Sequence, residues 1–460
     1  MEILALACAL EFICRTVEMA KNIHEIRDPV HVFVRLDNHE RKVLDSRAFQ
    51  RLRHIHQLAM TYLVYPGATH RRFEHSLGVM ELSGRVYDVI TNPDNVDDQI
   101  RRLLPEVTTE DTRRYWRRVL RMAALCHDLG HLPFSHAAEK ELLPKGWDHE
   151  RLTAEIIQSE ELKEIWNSVT PPLRPDDIVK LALGPKEAAG FKFSDWETIL
   201  SEIIVGDAFG VDRMDYLLRD SHHIGVAYGN FDQYRLIDTL RILTAPPMGV
   251  GDNSQEPALG VEEGGLHSAE ALMLARYFMY SQVYFHPIRR IYDIHLKDFL
   301  KAWLPNGGFE TNIQSHLAMT DNEVTSALRK AAFNQDEPGH IDAERIVLRK
   351  HFKVLYQRNP TDIKINLESG GAIYRAGTER FDAALLRHDR YAQKGGSLDF
   401  PVLMRDGRIE SSLAVSTTLE KLPVVIVDYV FTDRSIFPEA DEWLKHHRQQ
   451  IIEAATIQEG

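Results

Sequence analysis

The sequence contains few cysteines and no apolar run long enough to cross a bilayer. Three cysteines in 460 residues cannot build a disulfide framework, which suits a reducing cytoplasm. The apolar opening MEILALACALEFIC is short, is interrupted by glutamates and has no basic segment before it, which excludes a membrane span and a signal peptide. We therefore expect a cytoplasmic protein without a membrane partner, in which residues 1–21 form a packing helix or a loosely held terminus.

Positive charge is also scarce. The formal net charge of −13 gives no global electrostatic case for nucleic-acid binding, although such binding remains open. Basic residues do cluster locally on one predicted helix, at Arg113, Arg114, Arg117, Arg118 and Arg121. We interpret this cluster as a solvated helix face, which is the common role of such runs.

The composition is that of a globular protein, with 44% hydrophobic and 27% charged residues. Apolar residues recur at helical spacing from about residue 22 to 304, and residues 119–125 are apolar nearly all round, which predicts a helix buried in the core. The Gly- and Pro-rich stretch 245–265 predicts a loop or short hairpin between helices. The first two thirds of the chain are therefore predicted to be mainly helical.

The pattern changes after about residue 305. A helix-like segment at 320–333 precedes candidate strands at 353–356, 401–404, 413–416 and 424–430. An Asp-Gly turn at 406–407 indicates a hairpin, and a last amphipathic helix is predicted at 439–455. The fold class is thus mainly α, with an N-terminal segment (1–21), a helical core (22–305) and a smaller C-terminal α+β lobe (306–460).

The strongest chemical signal is CHDLGHLPFSH at 126–136. A buried helix delivers adjacent His127 and Asp128, and His131 and His136 follow closely. Charged groups are rarely buried unless they are paired or bind a metal. A core histidine bonded to a carboxylate would explain one His–Asp pair, but not the two further histidines. A mixed imidazole and carboxylate set without thiolates suits Mg, Mn or a divalent transition ion, and it does not match a structural zinc site.

Two adjacent ligands cannot complete a coordination shell, so others must come from distant segments. One candidate is His75, at the start of an apolar helix. A later helix carries on one face, at i, i+4 and i+8, Asp212, Tyr216 and Asp220. Arg213 and Arg219 flank that face, as an anionic ligand would require. Taken alone, Asp212 would more often be an ordinary surface carboxylate.

Four motifs in this order, RRFEHSLGV, CHDLGHLPFSH, WDHE and VDRMDYLLRD, resemble the HD-domain superfamily. Within it, the chain most resembles the deoxynucleoside triphosphate triphosphohydrolases, both the dGTPase group and the vertebrate SAM-and-HD-domain enzymes. The likeness runs from RDPVH at 27–31 to ARYFMYSQVYFH at 275–286 and implies a helical HD-domain catalytic core. We expect no SAM domain, because only about twenty residues precede RDPVH.

The resemblance implies a metal site and a proton donor. The implied ligands of a divalent ion (Mg, Mn, Fe, Ni or Zn) are His75, His127, Asp128 and Asp212. The implied catalytic residues are His136, Glu139, His131 and His149. His136 matches the histidine that protonates the leaving 5′-oxygen, and Glu139 stands where the family has an Asp that orients it. His131 and His149 match phosphate-site histidines.

The resemblance also implies substrate contacts, at Arg72, Gln57, Arg213, Tyr216, Asp220, Arg276 and Tyr284. Gln57 and Asp220 match residues that hold the sugar 3′-hydroxyl, and Tyr216 matches a tyrosine that disfavours a 2′-hydroxyl. Arg72 and Arg276 match phosphate-binding arginines. Two departures matter: an arginine, residue 213, replaces a lysine at the phosphates, and a phenylalanine, residue 285, replaces a polar residue near the base.

The vertebrate enzymes are switched on by nucleotides that assemble a tetramer. Asp45, Gln50 and Arg53 match residues of their guanine-recognising regulatory site, whereas His24 replaces a phosphate-binding lysine. A helix surface in a dimer or domain contact explains Gln50 and Arg53 equally well. We therefore expect a homo-oligomer, a dimer or a tetramer, and leave nucleotide activation open.

Three functions follow from these patterns. The leading hypothesis is metal-dependent hydrolysis of a dNTP to deoxynucleoside and inorganic triphosphate, with water attacking the α-phosphorus. The alternative enzyme is an HD phosphohydrolase acting on a ribonucleotide, a nucleoside monophosphate or a cyclic nucleotide. The third is a nucleotide- or RNA-binding regulator without turnover, against which the complete ligand set and His136 argue.

Overall fold

The structure of the chain, a computed structural model, describes residues 23–135, 139–244, 256–393 and 398–456. The expectation for residues 1–21 therefore lies outside the described residues. The first described element is an antiparallel hairpin of strands β1 (Ile23–Asp28) and β2 (Val32–Asp37). The sequence does not predict this hairpin, because its strands expose apolar as well as charged side chains and so lack a clear alternation.

Helices build most of the first half of the chain, as the sequence predicts. In chain order they are α1 (Asn38–Leu44), α2 (Arg47–Arg51), α3 (Arg72–Ile90), α4 (Asp98–Leu103), α5 (Glu110–Cys126), α6 (Glu139–Leu142), α7 (His149–Ile157), α8 (Glu160–Ser168), α9 (Pro175–Glu187), α10 (Asp195–Val205) and α11 (Val211–Ile224). Helix α5 begins where the Thr109 hydroxyl accepts from the Thr112 amide, with two acidic residues in its first turn. Its last turns are fully buried and pack on α3, which confirms the predicted core helix.

Three arginines of the cluster on α5 pair with carboxylates of the protein itself. Arg117 binds Asp88 through two nitrogens, and Arg114 pairs with Glu110 one turn away. Arg121 is buried and donates to both oxygens of Glu40. The interpretation as a solvated face is therefore wrong for Arg121, which follows the buried side of the helix.

The second half of the chain mixes helices and strands. Its helices are α12 (Gln233–Asp238), α13 (Leu266–Met279), α14 (Pro287–Trp303), α15 (Ile313–Ala318), α16 (Asp321–Ala332), α17 (His340–Val347), α18 (Pro360–Ile363), α19 (Ser369–Arg380), α20 (Ser412–Val415), α21 (Thr417–Lys421) and α22 (Phe437–Thr456). Its strands are β3 (Leu240–Thr244), β4 (Pro257–Glu262), β5 (Lys353–Gln357), β6 (Leu386–Ala392), β7 (Pro401–Leu403), β8 (Ile409–Ser411) and β9 (Ile426–Thr432). A small α+β lobe thus follows a helical core, which confirms the predicted fold class.

Two sheets organise this half. Strands β3, β4, β7 and β8 form one sheet, in which β7 pairs in parallel with β4 and in antiparallel with β8 across the Asp-Gly turn. Strands β5 and β6 flank the buried β9 in the other sheet. The candidate strand at 413–416 is wrong, because Ser411 and Ser416 cap α20 and α21 instead.

Apolar packing ties the later helices to the core. One hydrophobic cluster joins Leu132 and Phe134, in the loop after α5, to the buried faces of α14, α16 and α17. A separate cluster packs Phe285 against β9. Among the described residues, no helix combines the length and the apolar character needed to cross a membrane.

Candidate metal and phosphate site

The structure brings the side chains of the four candidate ligands together at the ends of three helices. His75 lies in the first turn of α3, His127 and Asp128 directly follow α5, and Asp212 lies in the first turn of α11. The Nε2 atom of His75 lies 3.0 Å from Asp212 Oδ1 and 3.7 Å from Asp128 Oδ2. The Nε2 atom of His127 lies 3.4 Å from Asp128 Oδ1 and 3.6 Å from Asp212 Oδ1. His75, His127 and Asp128 therefore offer ligand atoms around one point.

Both imidazoles turn the same nitrogen toward that point. The Nδ1 atom of His127 lies 2.8 Å from the Ala124 carbonyl, which can only accept, so the proton belongs on Nδ1. Nε2 of His127 then carries its lone pair, is buried, and has no hydrogen-bond partner among the described residues. An orphaned nitrogen beside two carboxylates fits a cation, so the residues suit a divalent metal.

His75 is oriented by a buried carboxylate that the sequence analysis does not identify. Its Nδ1 lies 2.8 Å from Asp215 Oδ2, the arrangement by which outer carboxylates fix metal-binding histidines. Burial opposes ionisation of Asp215, but the Arg219 guanidinium and hydrogen bonds from His31 and His75 hold its pKa well below the ordinary value. Arg219 also binds Asp28 at the end of β1, 2.9 Å away. His75 is thus held through a fully buried network.

This network corrects the role expected for Arg219. The Arg219 side chain is completely buried, and its guanidinium donates to Asp215 and Asp28. It therefore cannot flank an anionic ligand. The network also explains a glycine in the motif that carries His75. A Cβ at Gly78 would lie 1.9 Å from Asp215 Oδ1, so only glycine lets α11 approach α3 this closely.

A second group of polar side chains extends from Asp128. Arg72 donates from Nη1 to Asp128 Oδ2 at 2.5 Å, and from Nε and Nη2 to the Ser135 hydroxyl. His131 Nε2 lies 3.0 Å from Asp128 Oδ1. Burial and the nearby Arg72 charge hold the pKa of His131 well below its ordinary value. Arg72 therefore supplies positive charge next to Asp128, and His131 does not.

Next to it lies a histidine between two glutamates. The His149 ring stacks on His131 at 4.1 Å, and its Nδ1 lies 2.6 Å from Glu139 Oε1 and 2.8 Å from Glu150 Oε2. Burial lowers the pKa of His149, but hydrogen bonds to the two glutamates outweigh it and raise the pKa to about 9. His136 lies outside the described residues, so its pairing with Glu139 stays a prediction.

The α11 face continues from the ligand Asp212 to the residues predicted to bind the sugar. The Asp220 carboxylate accepts from Tyr284 Oη at 2.7 Å and contacts His70 Nε2 at 2.7 Å. The Tyr216 ring stands edge-on to Tyr284, with centroids 5.9 Å apart. The backbone N–H of Gln57 donates to the His70 carbonyl, whereas the side-chain oxygen Oε1 of Gln57 is buried without a hydrogen-bond partner among the described residues. These predicted sugar contacts therefore share one region.

Two further predicted phosphate ligands face the same loop. Arg213 Nη1 donates to the Gly206 carbonyl at 2.9 Å and to the Asp207 carbonyl, which Arg276 Nη1 reaches at 3.4 Å. Burial and the neighbouring Arg213 charge lower the pKa of Arg276. Two guanidinium groups held this close favour an anion between or beside them.

The residues matched to the regulatory site lie on the surface of α1 and α2. Gln50 Nε2 donates to the Leu44 carbonyl at 2.7 Å, and Arg53 donates to Gln50 Oε1 at 2.9 Å. Asp45 pairs with Arg41 on the same helix surface, and His24 Nε2 lies 2.9 Å from Asn38 Oδ1. These local contacts are compatible with a nucleotide site and with a contact between copies. Phe285 is buried against Tyr280 and Tyr391, in the contact with the C-terminal lobe.

Comparison with known families finds two matches on the chain. The family described as HD domain matches residues 72–185, and that described as HD associated region matches residues 231–369. The first range contains His75, His127 and Asp128, while Asp212 lies between the two ranges. The HD family match therefore includes three of the four candidate ligands, and the fourth lies in the segment between the two matches.

Similar proteins agree with these matches. Uncharacterized protein YwfO of Bacillus subtilis is 37% identical over 60% of this chain and 54% of its own length. Deoxynucleoside triphosphate triphosphohydrolase SAMHD1 of Homo sapiens is 30% identical over 78% of this chain and 59% of its own length. The chain thus spans about half the length of the curated relatives it matches. The solved structure of a hypothetical protein from Aquifex aeolicus has a TM-score of 0.73 and 33% identity, covering 92% of this chain and 100% of that one.

Proposed function

The chain belongs to the HD-domain superfamily, and from this membership we propose that it is a metal-dependent phosphohydrolase that converts a dNTP into deoxynucleoside and inorganic triphosphate. The observation that carries the proposal is the continuity of one helix face, α11, from the ligand Asp212 through Tyr216 to Asp220. A metal site at one end and a hydroxyl-binding carboxylate at the other match a substrate with phosphate and sugar.

The proposed metal ligands are His75, His127, Asp128 and Asp212. A divalent ion bound there, Mg, Mn, Fe, Ni or Zn, would act as a Lewis acid and lower the pKa of the attacking water. Hydrogen bonds to Asp215 and to the Ala124 carbonyl fix the tautomers that present both Nε2 lone pairs.

The proposed phosphate contacts lie on both sides of these ligands. Arg72 and the stacked pair His131 and His149 lie on one side, and Arg213 and Arg276 lie near the Asp207 loop. We propose that His136 protonates the leaving 5′-oxygen and that Glu139 assists it, since Glu139 already faces this cluster through His149.

The proposed sugar site distinguishes this reaction from other phosphoester hydrolyses. Asp220 would accept the hydrogen bond of the 3′-hydroxyl, and the Gln57 side-chain amide, whose buried Oε1 has no hydrogen-bond partner among the described residues, would make a second contact to the same hydroxyl through its N–H group. Tyr216 would pack against C2′, where a 2′-hydroxyl would be left without a partner. Tyr284 holds Asp220 and would orient it toward the sugar.

We also propose that copies of the chain associate into a dimer or tetramer. The β1–β2 hairpin exposes three apolar side chains, of Ile23, Val32 and Phe33, which a second copy of the chain could cover. Sedimentation of the purified chain, alone and with each dNTP, tests association and whether nucleotide promotes it, and a chain that stays monomeric in every case would refute the proposal.

The test of the activity is an identification of products. The purified chain is incubated with each dNTP and NTP in Mn²⁺ or Mg²⁺, and the products are separated by ion-exchange chromatography, with Asp128→Ala as the control. Inorganic triphosphate and deoxynucleoside are expected from dNTPs. Equal kcat/KM for both sugars, or release of other phosphates, would favour another HD phosphohydrolase, and absence of any product would favour a binding protein.

A further inference from the structure

The loop that follows the ligands His127 and Asp128 adopts a backbone that it does not favour by itself. Phe134 and Ser135 have φ angles of 55° and 58°, so two successive residues other than glycine occupy the left-handed region. Such a conformation persists only where surrounding contacts impose it. The contacts that impose it are therefore of functional interest.

One of these contacts comes from the start of α16. Asp321 Oδ1 accepts from the Phe134 amide at 2.7 Å, and Asp321 Oδ2 accepts from the His56 amide at 2.7 Å. The same Oδ2 lies 2.6 Å from His56 Nδ1, and the His56 ring stacks parallel to the Phe134 ring at 5.8 Å. Asp321 is 1% exposed. A buried carboxylate thus fixes the strained turn from outside the loop.

The other contact comes from α2. Arg51 donates from Nη1 to the His131 carbonyl at 2.8 Å and from Nε to the Met319 carbonyl at 3.0 Å. Arg51 is buried, and burial lowers its pKa to about 10 despite the nearby Asp321. A buried arginine that bridges two carbonyls therefore holds the beginning of the loop, as Asp321 holds its end.

The loop between these contacts touches the reactive end of the site. Ser135 accepts both hydrogen bonds that orient Arg72, and Arg72 in turn binds Asp128. His131, whose carbonyl Arg51 holds, contacts the other oxygen of Asp128. A shift of the loop would therefore move Arg72 and His131 relative to the metal ligands.

We propose that Arg51, His56 and Asp321 form a clasp through which the HD-associated region positions the loop 131–135 for phosphate-ester hydrolysis. The clasp residues are positioning residues, because they act through Ser135, Arg72 and His131. This inference rests on the proposed phosphohydrolase function. The segment that holds the loop is distant in sequence, because Met319 lies 185 residues after Phe134. It assigns to Met319–Asp321 a task in the active site that the sequence pattern of that segment does not show.

The test uses three variants of the full chain. Asp321→Asn keeps the volume but places an amide donor against one of two backbone donors. Arg51→Lys keeps the charge but cannot bridge two carbonyls from separate nitrogens. Glu323→Gln is the matched control, because Glu323 accepts from Thr320 at the same helix start without touching the loop.

For the first two variants we expect kcat to fall roughly ten- to a hundredfold, as small misplacements of reacting groups do, with KM changed less than about threefold. Bound metal per chain should stay unchanged, since no ligand is altered, and the control should keep kcat. A kcat within about twofold of wild type in Asp321→Asn, or an equal loss in Glu323→Gln, would overturn the clasp. If the wild type hydrolyses no dNTP, the proposed substrate is wrong, and the clasp is then tested by the visible spectrum of the Co²⁺-loaded chain. A spectrum that differs from that of the wild type in both clasp variants supports the clasp. Spectra identical to that of the wild type refute it.

Discussion

Replacing Gly78 by alanine tests the buried network behind His75. A Cβ at residue 78 would lie 1.9 Å from Asp215 Oδ1 and 2.5 Å from Arg219 Nη2. Asp215 has a short side chain that His31, His75 and Arg219 hold from three directions, so it cannot swing aside without losing bonds. We therefore expect the substitution to push Asp215 away from His75.

The magnitude follows from three contributions. Gly to Ala within a helix ordinarily stabilises by about 1 kcal/mol. Overpacking costs about 1–3 kcal/mol, and complete loss of a buried ion pair costs about 3–5 kcal/mol. Because Asp215 can keep part of its bonds, we expect about half of the combined penalty, which leaves a net loss near 1–3 kcal/mol after the gain in helix propensity is subtracted. Metal affinity should fall roughly 10–100-fold, the usual worth of a partner that orients a ligating histidine.

Two measurements suffice, thermal melting of the metal-free chain and titration with Mn²⁺ followed by electron paramagnetic resonance. The control is Gly377→Ala in α19, where the nearest atom to an added Cβ is Leu386 Cδ1 at 3.3 Å. The control should melt at or slightly above the temperature of the wild type, as the helix propensity of alanine implies, and bind Mn²⁺ equally well. If Gly78→Ala also melts like the wild type and binds Mn²⁺ with unchanged affinity, then Asp215 does not hold His75.

Three further predictions concern single side chains. Asp215→Asn should lower Mn²⁺ affinity roughly 10–100-fold, measured by the same titration, and unchanged affinity would contradict its orienting role. His136→Ala should keep its metal but lose turnover roughly 10²–10⁴-fold, with a smaller loss for Glu139→Ala; loss of bound metal would make His136 a ligand instead. Competition between dATP and ATP should show a preference of roughly ten- to a hundredfold for the deoxy sugar, reduced in Tyr216→Ala, and a preference that survives this substitution would remove Tyr216 from the sugar site.

The sequence predicts the first layer of the site better than the second. The resemblance to the HD family names His75, His127, Asp128 and Asp212 together, and the structure places each of them at the end of a helix. Asp215 escapes notice because it does not share the i, i+4, i+8 spacing of Asp212, Tyr216 and Asp220. The role expected for Arg219 fails because charge alone does not show whether a side chain faces a ligand or a buried carboxylate.

Long-range contacts are the other part that sequence patterns miss. The contact between His56 and Asp321 joins residues 265 positions apart, and no local periodicity reports such a pair. The same holds for β7, whose parallel pairing with β4 draws residues from the expected C-terminal lobe into the core sheet. The wrong strand at 413–416 has a local cause, because serine caps on both sides outweigh the apolar residues between them.

The β1–β2 hairpin has a consequence for dissecting the chain into pieces. Asp28 binds Arg219, and His31 binds Asp215. A fragment that starts after the hairpin would therefore bury Arg219 and Asp215 with fewer partners. A fragment trimmed to the HD match, residues 72–185, would lack the hairpin, Asp212 and Asp215 together. A fragment that keeps the whole network behind His75 therefore includes at least residues 28–219, which is more than the HD match covers.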